Sequence, residues 1–128
     1  MTDRPIHILA VDDNRMNRLK LARTLEGEGY RLSQADGGRT ALDMLRSEAF
    51  DLVLLDILMP EVDGFQVLRE MKDDAELQNI PVIVISGLED MDSVDRCLEA
   101  GADDFLSKPV DHTVLQDHVR KLLGKTAL

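Results

Sequence analysis

Three carboxylates, a hydroxyl and an ammonium close successive apolar runs of this chain. Asp12 and Asp13 end the run 6–11, Asp56 ends 52–55 and Ser86 ends 81–86, while Ser107, Lys108 and Pro109 follow a short run at 103–106. Crowded carboxylates repel one another and rise in pKa unless a cation neutralises them. Mg2+ suits such a group, because it takes oxygen ligands, keeps several waters and is usually held by one or two carboxylates with phosphate oxygens. Zinc is not supported: His7, His112 and His118 lie at no metal-ligand spacing, and Cys97 stands alone. A carboxylate near Mg2+ can attack phosphorus, as aspartyl-phosphate chemistry requires, with the ion and a fixed ammonium offsetting charge on the phosphoryl oxygens. Asp56 is then the nucleophile. Lys108 would ion-pair with Asp56 at rest and with the phosphoryl group afterwards, and Ser86 would donate its hydroxyl to a phosphoryl oxygen.

These groups meet only if the runs are neighbouring parallel strands, since open parallel sheets bind ligands beyond the carboxyl ends of their strands. The pattern predicts strands at 6–11, 30–35, 52–55, 81–86 and 103–106, each followed by a helix. Inward helix faces are expected at Met16, Leu19, Leu21, Ala22 and Leu25, at Ala41, Leu42 and Leu45, and at Phe65, Leu68 and Met71. A fourth helix is expected at 91–100, and the last is expected to turn Val114, Leu115, His118, Val119 and Leu122 inward. Gly27 and Gly29 stop the first helix, and Pro60 and Gly64 mark a turn after Asp56. Strands that read as continuous Val, Ile and Leu runs belong to a parallel sheet covered on both faces. The class is therefore α/β, a single doubly wound sheet of five strands with five helices.

The chain has 128 residues, 44% of them hydrophobic, enough for one core but not two. With no repeat and no Ser/Gly linker before Gly124, one domain is expected over 1–124, with 125–128 a tail or the start of a linker to an effector domain. The 25 acidic against 15 basic residues give a formal charge of -10, which repels nucleic-acid phosphates and anionic membranes alike. One cysteine cannot form an internal disulfide, and no apolar run reaches membrane-span or signal-peptide length, so a cytoplasmic setting is expected.

These residues coincide with a known family: the chain resembles the receiver domains of bacterial two-component response regulators from about Ile6 to Leu123. The resemblance rests on Val11-Asp12-Asp13-Asn14, on Leu54-Leu55-Asp56-Ile57-Leu58-Met59-Pro60 with Asp63-Gly64, on Ser86 closing an apolar strand, and on Lys108-Pro109. Each motif alone is weak, and five in order at strand ends are specific. The resemblance implies a flavodoxin-like strand order 2-1-3-4-5. It implies that a sensor histidine kinase or a histidine phosphotransfer protein passes phosphate from a phosphohistidine to Asp56. Mg2+ would be bound by Asp13, Asp56 and the backbone carbonyl of Leu58, with Asp12 acting through water. It further implies that Ser86 moves toward the phosphoryl group, that Phe105 turns inward, that the face of the fourth helix, fifth strand and fifth helix is reshaped for a downstream effector, and that the Lys108-Pro109 bond is cis. Such a chain is a regulatory phospho-acceptor rather than an enzyme on external substrates, acting in its own phosphoryl transfer and slow autodephosphorylation. Homodimerisation through the last two helices on phosphorylation is a further expectation.

Phe105 stands where Tyr is common in the family, and Val62 where Met is. Apolar Leu58 and Leu88, two residues past Asp56 and Ser86, are expected to hinder the attacking water and prolong the phosphoryl state. Phosphoryl loss as fast with these leucines as with polar replacements would sink that expectation.

Plainer readings exist for each residue. Asp12 and Asp13 could cap the first helix, Asp56 could be a turn residue, Ser86 and Lys108 could be ordinary surface or turn residues, and Phe105 could be core. The runner-up function is a pseudo-receiver that binds partners without accepting phosphate, against which the intact acidic, Ser and Lys positions argue. An Asp-nucleophile phosphatase needs a cap and an acid for the leaving group, for which the chain has no room.

Overall fold

The computed structural model describes residues 5–57, 63–87 and 91–127. Leu58, Met59, Pro60, Val62 and Leu88, and the expectations placed on them, lie outside the described residues. The chain alternates β1 (His7–Val11), α1 (Arg15–Glu26), β2 (Arg31–Ala35), α2 (Gly38–Ser47), β3 (Leu52–Leu55), α3 (Gly64–Asp73), β4 (Val82–Ser86), α4 (Met91–Glu99), β5 (Asp104–Ser107) and α5 (His112–Ala127). All strand pairs are parallel and the order is β2-β1-β3-β4-β5, as the resemblance implies. α5 continues to Ala127, three residues beyond the domain end expected at 124.

Two apolar layers form because successive strand residues face opposite sides. Leu9, Val11, Val53 and Leu55 pack with Ala41, Leu45, Leu68, Met71 and Cys97 of α2, α3 and α4. Ile8, Ala10, Leu52 and Leu54 pack with Leu21, Leu25, Leu115, Val119 and Leu123 of α1 and α5. β1, β3 and β4 are buried throughout, which explains their unbroken apolar sequence.

The helix faces need two corrections. On α1, Leu21, Ala22, Thr24 and Leu25 are buried, whereas Met16 and Leu19 are exposed. At about 100° per residue, both fall on the far side of the helix from Leu21 and Leu25. On α5 the buried line is Leu115, Val119 and Leu123, with Leu122 and His118 partly covered. Val114 sits one position, about 100°, off that line and is exposed.

Helix starts are fixed by side chains that accept backbone N–H groups. Asn14 accepts from Asn17 N at α1, Asp63 from Gln66 N at α3, and Asp111 from Thr113 N and Val114 N at α5. Asp12 and Asp13 therefore do not cap α1; Asn14 does. Gly29 has φ +90, a conformation glycine adopts without strain, and turns the chain from α1 into β2.

Candidate functional site at the carboxyl edge of the sheet

Parallel pairing brings the ends of β1, β3, β4 and β5 to one edge. Val11 is opposite Leu55, Leu55 opposite Val84, and Ser86 opposite Ser107, so the residues that follow converge there. Asp12 and Asp56, 2% and 4% exposed, sit just past β1 and β3, and Asp56 N donates to Val11 O at 2.9 Å. Asp13 is exposed beside them. Carboxylate oxygens of Asp12, Asp13 and Asp56 all lie within 4.8 Å of one another.

Lys108 enters from the end of β5. Its backbone N–H donates to Ser86 O at 3.0 Å, its peptide bond to Pro109 is cis, and its side chain is 28% exposed. The ammonium bridges the two buried carboxylates, donating to Asp12 Oδ2 at 3.0 Å and to Asp56 Oδ2 at 3.3 Å. Burial alone lowers the pKa of this lysine. The hydrogen bond to Asp12, the charges of Asp56 and Asp12, and the bond to Asp56 outweigh that and hold it above the ordinary lysine value. The pairing offsets the cost of two nearly buried carboxylates.

Asp12 is held at every polar atom. Its N–H donates to Ala35 O at 3.2 Å, its Oδ1 accepts from Asn14 N at 2.8 Å, its Oδ2 accepts from Asn17 Nδ2 at 3.3 Å besides Lys108, and its carbonyl accepts from Arg18 Nη1 at 2.7 Å. Arg18 also reaches Gln34 Oε1 at the end of β2, at 3.2 Å.

Ser86 is fully buried at the end of β4, which removes the reading of it as a surface residue. Phe105 on β5 is half-buried against the α2–α4 layer. Asp12, Asp13, Asp56 and Lys108 are thus in one crevice, Ser86 lies at its wall through the contact of its carbonyl with Lys108, and Phe105 lies on the neighbouring strand.

A family model for the response regulator receiver domain matches residues 8–120. The chain belongs to that family. Among relatives of this receiver domain, Response regulator PleD of Caulobacter vibrioides is 44% identical over 115 residues, 90% of this chain and 25% of that protein. Two-component response regulator ORR3 of Oryza sativa is 41% identical over 105 residues, 81% of this chain and 80% of that protein. The chain therefore spans a quarter of the length of PleD. A solved signal receiver domain of a signal transduction histidine kinase from Syntrophus aciditrophicus is 40% identical, covers 93% of this chain and 90% of its own, and superposes with a TM-score of 0.87.

The acidic pocket of this receiver domain fits Mg2+ and an aspartyl phosphate: the clustered ligand atoms are all carboxylate oxygens, suited to a hard ion. No described helix is long and apolar enough to cross a membrane. Asn17 and Arg18 escape a reading of the sequence, because polar residues in the first turn of a helix look like a solvated face until β1 and β2 are placed beneath them.

Proposed function

We propose that this receiver domain is phosphorylated on Asp56 by a phosphohistidine of a sensor histidine kinase or a histidine phosphotransfer protein. The observation that carries this reading is the Lys108 ammonium spanning Asp12 and Asp56, which sets a positive charge beside a buried carboxyl nucleophile. An oxygen of Asp56 attacks phosphorus, the P–N bond breaks with its electron pair leaving on the imidazole nitrogen, and an acyl phosphate forms. Lys108 then moves its hydrogen bond from the carboxylate to the new phosphoryl oxygens, which carry more charge than Asp56 alone. Asp13, Asp56 and the backbone carbonyl of Leu58 would hold Mg2+, with Asp12 acting through water. When bound, the ion neutralises charge among the carboxylates and the phosphoryl oxygens.

Ser86 donates its hydroxyl to a phosphoryl oxygen, and because it is fully buried it must shift toward the crevice to do so. Its backbone already binds Lys108, so that shift is felt along β5, where Phe105 sits two residues before Ser107. Repacking of Phe105 changes the face made by α4, β5 and α5, which an effector protein or domain, or a second copy of this chain, would read. Residues 1–124 act as the receiver unit, and 125–127 extend its last helix. The phosphoryl group is lost slowly to water in the domain's own crevice, and the setting is cytoplasmic.

The test is intact mass after incubation with Mg2+ and acetyl phosphate. The unmutated chain gains one phosphoryl group and Asp56→Asn gains none. No added mass on the unmutated chain would favour the pseudo-receiver reading instead.

A further inference from the structure

We propose that Asn17 and Arg18 are positioning residues for the cation site, fixing Asp12 so that its carboxylate keeps its place both while Lys108 binds it and when Lys108 turns from it toward the phosphoryl group. This deepens the reading above and rests on it.

Lys108 and Asn17 both donate to Oδ2 of Asp12, at 3.0 and 3.3 Å. Phosphoryl transfer requires the lysine elsewhere. Once it leaves, Asn17 Nδ2 is the side-chain donor that the described residues still supply to that oxygen. A carboxylate 2% exposed is costly to leave without donors and would otherwise rotate to find them. Arg18 acts on the other end of the same residue. Its guanidinium holds the Asp12 carbonyl at 2.7 Å and Gln34 at 3.2 Å, which ties the end of β1 to the end of β2. With Asn14 N on Oδ1, the carboxylate is held at both oxygens and the backbone at its carbonyl. Groups that orient a ligand in this way typically change metal affinity 10- to 100-fold when removed.

The cap of α1 does not depend on these side chains, because Asn14 accepts from the backbone N–H of Asn17. Asn17→Leu therefore removes the amide donor at nearly constant volume and leaves the cap in place. Arg18→Lys keeps the charge but replaces a planar fork by a point donor that cannot serve both Asp12 O and Gln34 Oε1. Neither change alters the net charge near the site, so neither acts on a cation through bulk electrostatics.

The experiment is titration of the unphosphorylated protein with Mg2+ alone, read from amide shifts by NMR, beside phosphorylation rates with acetyl phosphate across Mg2+ concentrations. Asn17→Leu is expected to weaken Mg2+ about tenfold, and Arg18→Lys several-fold. Rates at saturating Mg2+ are expected to stay within about twofold of the unmutated chain, because both side chains act on Asp12 rather than on Asp56. Mg2+ binding by both variants within twofold of the unmutated protein overturns the proposal, as does unchanged binding with a lower saturating rate. Absence of Mg2+ binding by the unmutated chain overturns the cation site itself, which distinguishes failure of that reading from failure of this one. Urea midpoints show that the variants are folded, and either one alone suffices for the test.

Discussion

A Cβ atom on Gly64 would stand 2.7 Å from the carbonyl oxygen of Asp56. It would also come within 2.6 Å of Ile57 Cα, while Gly64 N–H donates to Ile57 O at 3.1 Å. The first residue of α3 is thus pressed directly onto the acceptor segment, and only glycine fits. Gly64→Ala forces backbone against backbone and should cost about 1–3 kcal/mol in urea unfolding. Gly124→Ala, where a Cβ meets nothing within 4 Å in the last turn of α5, should gain up to about 0.5–1 kcal/mol. Gly64→Ala as stable as the parent would refute this contact.

Lys108 gives stability an alkaline dependence. Its folded-state pKa is raised above 10.5 by Asp12 and Asp56 despite the opposing effect of burial, so its contribution is complete below the unfolded value and is lost as pH rises through the folded one. Tyr30 and Cys97, both raised chiefly by burial, lose stability in the same direction, from starting values of 10.0 and 9.0. The Lys108 share is therefore read from a difference. Between pH 9.5 and 12 the urea midpoint of the unmutated chain should fall further than that of Lys108→Met. Equal slopes would mean that the ammonium gains nothing from its two carboxylates.

The strands were legible because β1, β3 and β4 are buried on both faces, so nearly every residue had to be apolar. The site was legible for the same reason: Asp12, Asp56 and Ser86 each interrupt such a run where it meets the sheet edge. Helix faces were less so. Met16 and Leu19 carry the apolar character of α1 without its orientation, and no count of apolar residues separates an exposed Met16 from a buried Leu25. The cap of α1 was not legible, because Asp12, Asp13 and Asn14 are all acceptable caps, and the choice falls to Asn14 once Asp12 is taken by Lys108 and Asn17. His7 shows the opposite limit. It sits buried in β1 with ring nitrogens at Ala49 O and Ser33 Oγ, a placement that only the closed sheet defines.

α4 is held to α3 by Arg96, whose guanidinium carbon lies 4.3 Å from the centroid of the Phe65 ring. Phe65 directly follows the Gly64 that touches Asp56, so this contact links the acceptor segment to a helix of the proposed output face. At an exposed site such a contact is worth about 0.5–1 kcal/mol. Arg96→Met should lower stability by that amount, and Arg96→Lys by less. A double-mutant cycle with Phe65→Leu checks the pairing, since independent effects of the two changes would exclude a direct interaction.

Cys97 reports on the seating of the same helix. It is fully buried in the layer formed by α2, α3 and α4, and burial pushes its thiol up, which keeps it protonated at neutral pH and unreactive. At pH 8, a disulfide reagent such as dithionitrobenzoate should modify the native chain at least about 100-fold more slowly than the chain in urea, because reaction requires α4 to open. Arg96→Met should raise the native rate by loosening α4 at its Phe65 contact while leaving the rate in urea unchanged. A native rate close to that of the unfolded chain would show that α4 does not seal the core around Cys97.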